Sequence, residues 1–439
     1  MLFTLRGIIF VAVVAESARA FAQQSSSGST FKEPSINLQR PHEDRSPSDS
    51  LRHLAKECQR LGIDSFDVYG DFNSTAESSF LRRFEAEIAE ELGMEDAVFM
   101  PSGGMAQSIA LLIHAANKSP SFACHHTSHL LLHEQDAYRE LLHMDPVIIS
   151  TEQRATGKCM SIPPMMFRDV QQNLDQHGNT VSTLILELPH REIGGKLTPW
   201  QDVLQMQSYC RQRGIKFHLD GARIFEATTG YGDMSLKEIA SVFDSVYISF
   251  YKGLGAISGA MLLGSKDFCD AARVNLRRFG GNLYTLLPYA ISGWSGFRRQ
   301  WRLESGEDEQ LAGADVPDPI MSFQDKKNKL VGLVGALAAE SQIARVLSFD
   351  PEEPETSMVH GFLRASPKDC AKALDQVEKD TNVRVLSRVR PVEESEPQYK
   401  VGFRSRFEWA MGESNGHVSD ETYMLGLRAL AGALSSEGD

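Results

Sequence analysis

The sequence has few cysteines, no long apolar run and no excess of positive charge. Its 439 residues include 6 cysteines, none of them in a Cys-x-x-Cys pair. This argues against a disulfide framework or a zinc ribbon. Acidic residues outnumber basic ones by 58 to 45, for a formal net charge of −13, which disfavours binding to nucleic acid. With 42% hydrophobic and 23% charged residues, the composition is typical of a soluble globular enzyme large enough for two domains.

The first fifty residues predict a targeting segment rather than a folded one. Arg6 precedes the nine-residue apolar run Gly7–Ala15, and Ala18–Ala20 has the small-x-small pattern of a cleavage site. Residues 1–20 therefore indicate a secretory signal peptide, too short to span a bilayer. An organellar leader, such as a bipartite plastid leader, is an alternative, and a cytoplasmic location is another. The Ser-, Pro- and charge-rich residues 21–50 predict a disordered spacer.

The most informative part of the chain runs from Phe217 to Leu263. Its pattern predicts a strand that stops at Asp220, a helical crossover, and a second strand that stops just before Lys252. Glycines follow both strands. The pattern thus places an acid and a lysine at the carboxyl edge of a parallel sheet, where open α/β sheets bind ligands.

A carboxylate and a lysine at such an edge suit pyridoxal phosphate. A lysine holds this cofactor as a Schiff base, and an acid beside the pyridine nitrogen keeps the ring protonated. Burial at a strand end lowers the pKa of a lysine, which must be neutral to attack. In the plain structural interpretation, Asp220 would cap a helix and Lys252 would be a solvated loop residue.

Four segments resemble the threonine aldolase / β-eliminating lyase family. They are HLDGARIFEA, SFYKGLGAISGAMLLGS, DVYGD (67–71) and MPSGGMAQSIALL (100–112), and the resemblance covers about residues 62–296. It implies an α/β protein of the PLP-dependent transferase fold (fold type I). A large domain would contain a mixed, mostly parallel sheet, and a smaller C-terminal domain would be α+β. The predicted boundaries are 51–305 for the PLP-binding large domain with its N-terminal arm, 306–325 for a linker, and 326–439 for the small domain.

The resemblance also implies a cofactor site. Lys252 would hold pyridoxal phosphate, Asp220 would face the ring nitrogen, and Arg223 would lie near the ring oxygen and the substrate carboxylate. His129 would stack on the ring, with His126 as the alternative. The turn Ser102-Gly103-Gly104 before a helix would bind the phosphate through backbone N–H groups, although the family often has threonine where Gly104 stands.

Histidines and arginines supply the remaining candidate residues. His125, His129 and His133 would share one face of a helix, so a metal site is conceivable, but the expectation is that no metal is bound. His190 resembles the family histidine that contacts the substrate β-hydroxyl. The substrate α-carboxylate would be bound by Arg223 and by Arg404, with Arg406 as the other candidate.

The sequence therefore predicts a PLP-dependent lyase that cleaves a β-hydroxy-α-amino acid into glycine and an aldehyde. The catalytic residues would be Lys252, His129 and His190, and the protein would be a homodimer or homotetramer that binds neither nucleic acid nor membrane. The alternatives are β-elimination or other chemistry at Cα, and a non-catalytic relative that binds a ligand or partner. Glu408 stands where the family favours other residue types, and like-charge repulsion there predicts weak cleavage of L-threonine.

Overall fold

The protein is described by a computed structural model of one chain. The described residues are 35–43, 45–116, 118–151, 154–156, 159–177, 180–232, 234–302, 320–392 and 402–436. Both sheets and all helices named below belong to one compact unit, Asn37–Asp439. The predicted leader, residues 1–20, lies outside the described residues, as does most of the predicted linker.

The larger sheet has seven strands: β1 (Asp96–Met100), β2 (Ser121–His125), β3 (Asp145–Ile149), β4 (Thr183–Glu187), β5 (Lys216–Gly221), β6 (Ser245–Ser249) and β7 (Ala260–Gly264). Their order is β1-β7-β6-β5-β4-β2-β3. The pairings of β3 with β2, β2 with β4, β4 with β5, and β5 with β6 are parallel. Only β7 is antiparallel to its two neighbours. Strands β4, β6 and β7 are buried along their whole length, as expected for a sheet covered on both faces.

The second sheet, near the C-terminus, is antiparallel. Its strands are β8 (Leu347–Asp350), β9 (Met358–Leu363), β10 (Arg390–Pro391) and β11 (Ser405–Ala410). They are ordered β8-β9-β11-β10 and have a hydrophobic core of their own with the helices around them. The predicted α/β class, with a mixed and mostly parallel sheet and a separate C-terminal α+β part, is confirmed.

Among the residues that the structure describes, ten helices of nine residues or more surround the two sheets. They are α1 (Pro47–Arg60), α2 (Phe80–Leu92), α3 (Gly103–Ala115), α4 (Phe167–Asp175), α5 (Trp200–Arg213), α6 (Lys266–Arg278), α7 (Leu287–Phe297), α8 (Phe323–Ala339), α9 (Pro367–Thr381) and α10 (Asp420–Ser436). Shorter helices occupy His129–Leu132, Ala137–Glu140, Ile224–Ala227, Leu236–Ala240, Ser341–Ala344 and Glu413–Gly416. Short strand segments lie at Ile36–Asn37, Arg154–Thr156, Cys159–Ser161 and Val383–Arg384. Within the described part of the chain, no helix is both long and apolar enough to cross a bilayer.

Two sequence-based boundaries need correction. The sequence Ser74-Thr75-Ala76-Glu77 has the pattern of a capping box and by itself predicts a helix start at Ser74. Helix α2 instead begins at Phe80 and is capped by the hydroxyl of Ser79, which accepts from the amide of Arg82. The spacer predicted over residues 21–50 was extended too far toward the C-terminus. Leu38 is completely buried, and helix α1 begins at Pro47. The buried Leu38 and the side-chain hydrogen bonds of Gln39 to Ser387, Arg388 and Glu408 anchor this segment.

Candidate active site

Asp220 lies at the end of strand β5 and Lys252 just past the end of the adjacent parallel strand β6, as the sequence predicts. Asp220 is the penultimate residue of β5. Its carboxylate accepts a hydrogen bond from the amide of Ala222 at 3.1 Å. Lys252 comes three residues after the end of β6. The loop that carries it turns back at Gly255, whose amide donates to the Lys252 carbonyl at 3.0 Å and whose φ is +69°. Two strand ends thus bring an acid and an amine to one edge of the sheet.

The carboxylate of Asp220 is 5% exposed and lies in an anionic environment. Its cross-strand partner is Glu187. Burial and the nearby charge of Glu187 raise the pKa of Asp220 well above its usual range, while His129 acts in the opposite direction. The reciprocal effect is seen on His129. Burial alone would lower its pKa, but the hydrogen bond to Glu134 and the charges of Asp220 and Glu187 raise it.

Lys252 is a partly buried amine among cations. Burial, together with the nearby guanidinium groups of Arg223 and Arg191, lowers the pKa of Lys252 to about 8. Its Nζ lies 4.6 Å from the centre of the Tyr251 ring. The ring of His42 hydrogen-bonds the backbone of Lys252 from the other side. A substantial fraction of this amine is therefore neutral near pH 8, as a nucleophilic lysine requires.

The turn Ser102-Gly103-Gly104 forms the N-terminus of helix α3. The Ser102 hydroxyl caps the helix by accepting from the amide of Met105. A Cβ added to Gly103 would lie 2.0 Å from the hydroxyl of the buried Tyr247, so only glycine fits there. A Cβ on Gly104 would lie 2.4 Å from Oε2 of Glu134. A side chain at position 104 would therefore displace that carboxylate.

The histidines are distributed differently from the sequence prediction. His125 is the last residue of β2 and the helix starts only at His129, so His125, His129 and His133 do not share a helical face. The Nε2 of His129 lies 3.0 Å from Glu134 Oε1, and that of His133 lies 2.6 Å from Glu192 Oε1. Among the described residues, no group of three or more His, Cys, Asp or Glu side chains is arranged to hold a metal ion.

His190 belongs to a buried polar chain. Its Nε2 lies 3.0 Å from the Thr127 hydroxyl, which in turn lies 2.9 Å from Nδ1 of His125. Glu187 Oε2 is 3.7 Å from the same nitrogen of His190. His190 is 3% exposed, so it reaches the cavity in front of Lys252 only through its neighbours. The chain links the strand end of β4 to that of β2.

Two arginines share one carboxylate beside Lys252. Glu408 Oε2 accepts from Nε of Arg191 at 2.7 Å, and its Oε1 accepts from Arg223 at 3.1 Å. These positive charges lower the pKa of Glu408 to about 2, although burial opposes the shift. Arg223 also pairs with Glu226 at 3.3 Å. The expected repulsion between Glu408 and a substrate carboxylate is therefore largely offset by the two arginines, and Arg223 is not left as a free contact.

A cavity of about 310 Å³ opens in front of Lys252, between the edge of the large sheet and strand β11. Arg406 lines it, whereas Arg404 does not. Arg404 is exposed and immediately precedes strand β11. Its backbone amide donates a hydrogen bond to Leu363, and its carbonyl accepts one from Val392. Of the two arginines considered from sequence, the structure places Arg406 at the cavity. Sequence analysis missed Arg191, Arg388 and Arg390, which also line it and lie in no recognisable motif.

These residues fit pyridoxal phosphate. The close Tyr247 hydroxyl admits only glycine at position 103, at the start of helix α3, and the backbone N–H groups of a helix N-terminus suit a phosphate. The buried Asp220 needs a cationic partner, which a protonated pyridine nitrogen would be. Lys252 has the lowered pKa that covalent capture of an aldehyde needs.

Comparison with known proteins identifies the family of the chain. The family model described as "Beta-eliminating lyase" matches residues 67–349, more than half of the chain. The chain is 31% identical to the low specificity L-threonine aldolase of Escherichia coli, over 57% of this chain and 73% of the relative. It is also 31% identical to a probable low-specificity L-threonine aldolase of Arabidopsis thaliana, over 46% of this chain and 56% of the relative. The chain thus spans about half the length of some curated relatives.

A solved structure from Listeria monocytogenes, whose proposed activity is that of an L-allo-threonine aldolase, is similar along most of its length. The TM-score is 0.71 and the sequence identity 30%, and the match covers 91% of this chain and 96% of the other.

Proposed function

Because the chain belongs to the β-eliminating lyase family, we propose that it is a pyridoxal-phosphate-dependent lyase of the threonine aldolase type. It would cleave the Cα–Cβ bond of a β-hydroxy-α-amino acid to give glycine and an aldehyde. The observation that carries this proposal is that Asp220 and Lys252 lie at the ends of adjacent strands. The acid is buried, and the pKa of the amine is lowered to about 8.

When bound, pyridoxal phosphate supplies an electron sink for the electron pair left on the substrate α-carbon. Lys252 would hold the cofactor covalently, and its amine, with a pKa lowered to about 8, would transfer a proton at that carbon. Asp220 would keep the ring nitrogen protonated, since a cation beside it offsets the cost of burying its charge. His129, hydrogen-bonded to Glu134, would stack on the ring.

Cleavage also requires a group that accepts the proton of the β-hydroxyl. The electron pair of that O–H bond becomes the carbonyl of the aldehyde, and the Cα–Cβ pair stays on Cα until a proton is added to give glycine. The His190 ring is buried and does not line the cavity, so we assign the acceptor to a water molecule bound to it. The Thr127 hydroxyl lies between His190 and His125 and would hold the ring of His190 in position.

The proposal is tested on purified protein with added pyridoxal phosphate. Borohydride reduction followed by peptide mapping should label Lys252. A label on Lys196, which is buried and paired with Asp350 at 2.9 Å, or on the exposed Lys266 would contradict the assignment. A panel of β-hydroxy-α-amino acids should yield glycine and an aldehyde. Ammonia and a keto acid would indicate β-elimination instead, and the absence of any cofactor spectrum would indicate a non-catalytic relative.

We also propose that the protein is a homodimer or homotetramer. The support is a group of exposed aromatic side chains, Tyr69 and Tyr284, whose rings pack edge to face at 5.5 Å, next to the exposed Val68. Apolar side chains clustered at a surface often mark an interface. Light scattering at micromolar concentration tests this, and a fully active monomer would contradict it.

Finally, we propose that residues 1–20 direct the chain into the secretory pathway or an organelle. The support is the sequence pattern of Arg6, the apolar run 7–15 and Ala18–Ala20. A fluorescent protein fused after residue 34 should be sorted by residues 1–34 and remain diffuse in the cytoplasm without them. Diffuse fluorescence of both fusions would argue for a cytoplasmic protein.

A further inference from the structure

Two arginines face each other directly at the cavity. Arg390 of β10 and Arg406 of β11 are Cα partners in the antiparallel register, and both line the cavity in front of Lys252. Like charges in directly opposed positions destabilise a pair of strands. Burial, together with the positive charges of Arg388, Arg191 and Arg406, lowers the pKa of Arg390. The cluster is therefore costly in the absence of an anion.

The glutamates of the cavity are already engaged by other arginines. Glu408 is shared by Arg191 and Arg223, and Glu192 accepts from Arg191 at 2.9 Å and lies 3.6 Å from Arg406. Within the part of the chain that the structure describes, neither Arg388 nor Arg390 has a carboxylate partner. These two guanidinium groups remain as the excess positive charge of the cavity.

The segment that carries the two arginines is held in place by Gln39. Its Oε1 accepts from the amides of Ser387 and Arg388 at 2.6 and 3.0 Å. Its Nε2 donates to the carbonyl of Glu408 at 2.8 Å. One side chain therefore fixes the backbone of the arginine segment against strand β11, as expected of a preorganised binding surface.

We propose that Arg388 and Arg390 bind a second acidic group on the substrate, so that the preferred substrate is a β-hydroxy-α-amino acid with a carboxylate on its side chain. This rests on the proposed function. The α-amino group would face Lys252, and the side-chain carboxylate would be placed against the two arginines. Guanidinium groups bind carboxylates with charge-assisted hydrogen bonds. The excess positive charge would also draw a doubly acidic substrate into the cavity.

The first test measures kcat/KM for 3-hydroxyaspartate, 3-hydroxyglutamate and L-threonine. At least one of the dicarboxylic substrates should exceed L-threonine by about tenfold or more. Arg390→Gln should lower kcat/KM for that substrate by about tenfold or more and leave L-threonine within about twofold. Arg390→Lys, which keeps the charge, should recover part of the loss. Arg384→Gln is the matched control, because Arg384 precedes the same segment but pairs with Glu378 on the surface.

Two outcomes overturn the inference. A similar loss for threonine and for the dicarboxylic substrates would mean that Arg390 binds the α-carboxylate or only maintains the fold. A preference for threonine over both dicarboxylic substrates would mean that the arginines select no second acid.

A second measurement does not depend on turnover. Calorimetry on the cofactor-loaded protein should show that succinate binds more tightly than propionate by about tenfold or more, and that Arg390→Gln removes the difference. Equal affinities for the two acids would overturn the inference. The proposed lyase activity is judged separately. Cleavage of threonine without a preference for dicarboxylates would contradict only the inference. Binding of succinate without cleavage of any amino acid would contradict the proposed function.

Discussion

Glu187 and Asp220 are directly paired on neighbouring parallel strands, so two carboxyl groups lie side by side at the sheet edge. The Glu187 carboxylate accepts from the main-chain amide of His129 at 2.8 Å. Burial, together with the negative charge of Glu187, raises the pKa of Asp220. Two like charges in one buried site cannot both be stable without a cation. The pair therefore favours a ligand that brings positive charge to Asp220.

Replacing Glu187 should change the pH range of cofactor binding. In Glu187→Gln, the amide oxygen can still accept from His129, but the charge that raises the pKa of Asp220 is gone. Asp220 then stays ionised to lower pH, so the loss of pyridoxal phosphate affinity on acidification should move to lower pH by roughly one unit. Titrations of the apoprotein with cofactor from pH 5 to 8 measure this. Glu90→Gln, at an exposed position of α2, is the control. If Glu187→Gln loses cofactor affinity at the same pH as the parent protein, the role of Glu187 is contradicted.

Asp220→Asn should separate cofactor binding from catalysis. The amide keeps the shape and can accept from Ala222, but it cannot keep the ring nitrogen protonated. We expect bound cofactor in the absorbance spectrum and turnover lower by about 10³-fold or more. Steady-state assays with the best substrate measure the loss. Near-normal turnover would exclude Asp220 as the partner of the ring.

L-Threonine should be a poor substrate because Glu408 occupies the arginines nearest to Lys252. We expect kcat/KM below about 10⁴ M⁻¹s⁻¹ for L-threonine and L-allo-threonine. In Glu408→Gln, Arg191 and Arg223 lose a shared anion and become available to the substrate α-carboxylate. The value for threonine should rise by roughly tenfold. A high efficiency in the parent protein, or no gain in the variant, would show that Glu408 does not limit substrate choice.

A buried histidine pair should make the fold sensitive to acid. His114 Nε2 and His218 Nδ1 both lie 2.7 Å from the Ser245 hydroxyl, and burial lowers the pKa of each ring from 6.5 to about 3. Between pH 6.5 and 3 the folded state thus binds fewer protons than the unfolded state. The contribution of the two rings to the free energy of unfolding is therefore fully present above pH 6.5 and is lost as the pH drops toward 3. Each ring contributes a slope of about 1.4 kcal/mol per pH unit in that range.

His114→Gln checks this stability prediction. The variant should lose part of the slope when urea unfolding is followed between pH 6 and 4, although its stability at pH 7 is lower. His177→Gln, at an exposed position, should keep the parent slope. An unchanged slope in His114→Gln would show that the buried ring is not the acid-sensitive group.

The strand-end positions of Asp220 and Lys252 could be predicted because they depend on local signals. An apolar run, a polar residue and a glycine define each strand end within a few residues. Helix starts were less certain, since Ser74 and Ser79 are both good caps and packing against the sheet selected Ser79. The spacing of His125, His129 and His133 fits a helix equally well. Pairing of His125 with Ile149 in the sheet overrides that local pattern.

The arginine and glutamate network could not be predicted in the same way. Arg191 and Glu408 are separated by 217 positions, and their contact depends on how strand β11 packs against the edge of the large sheet. The residue types also gave no signal, because charged side chains are usually exposed to solvent. Sequence alone therefore identified the groups expected to bind the cofactor but not those that surround the substrate cavity.

The segment around Leu38 and Gln39 constrains the order in which the protein can be made. Gln39 bonds to Glu408, 369 positions later, and the Leu38 carbonyl accepts from Trp409, 371 positions later. The ribosome synthesises this segment long before its partners on strand β11. The segment must therefore leave the exit tunnel and remain without these hydrogen bonds until strand β11 has been made. Only then can the wall of the substrate cavity be closed by residues that are far apart in the sequence.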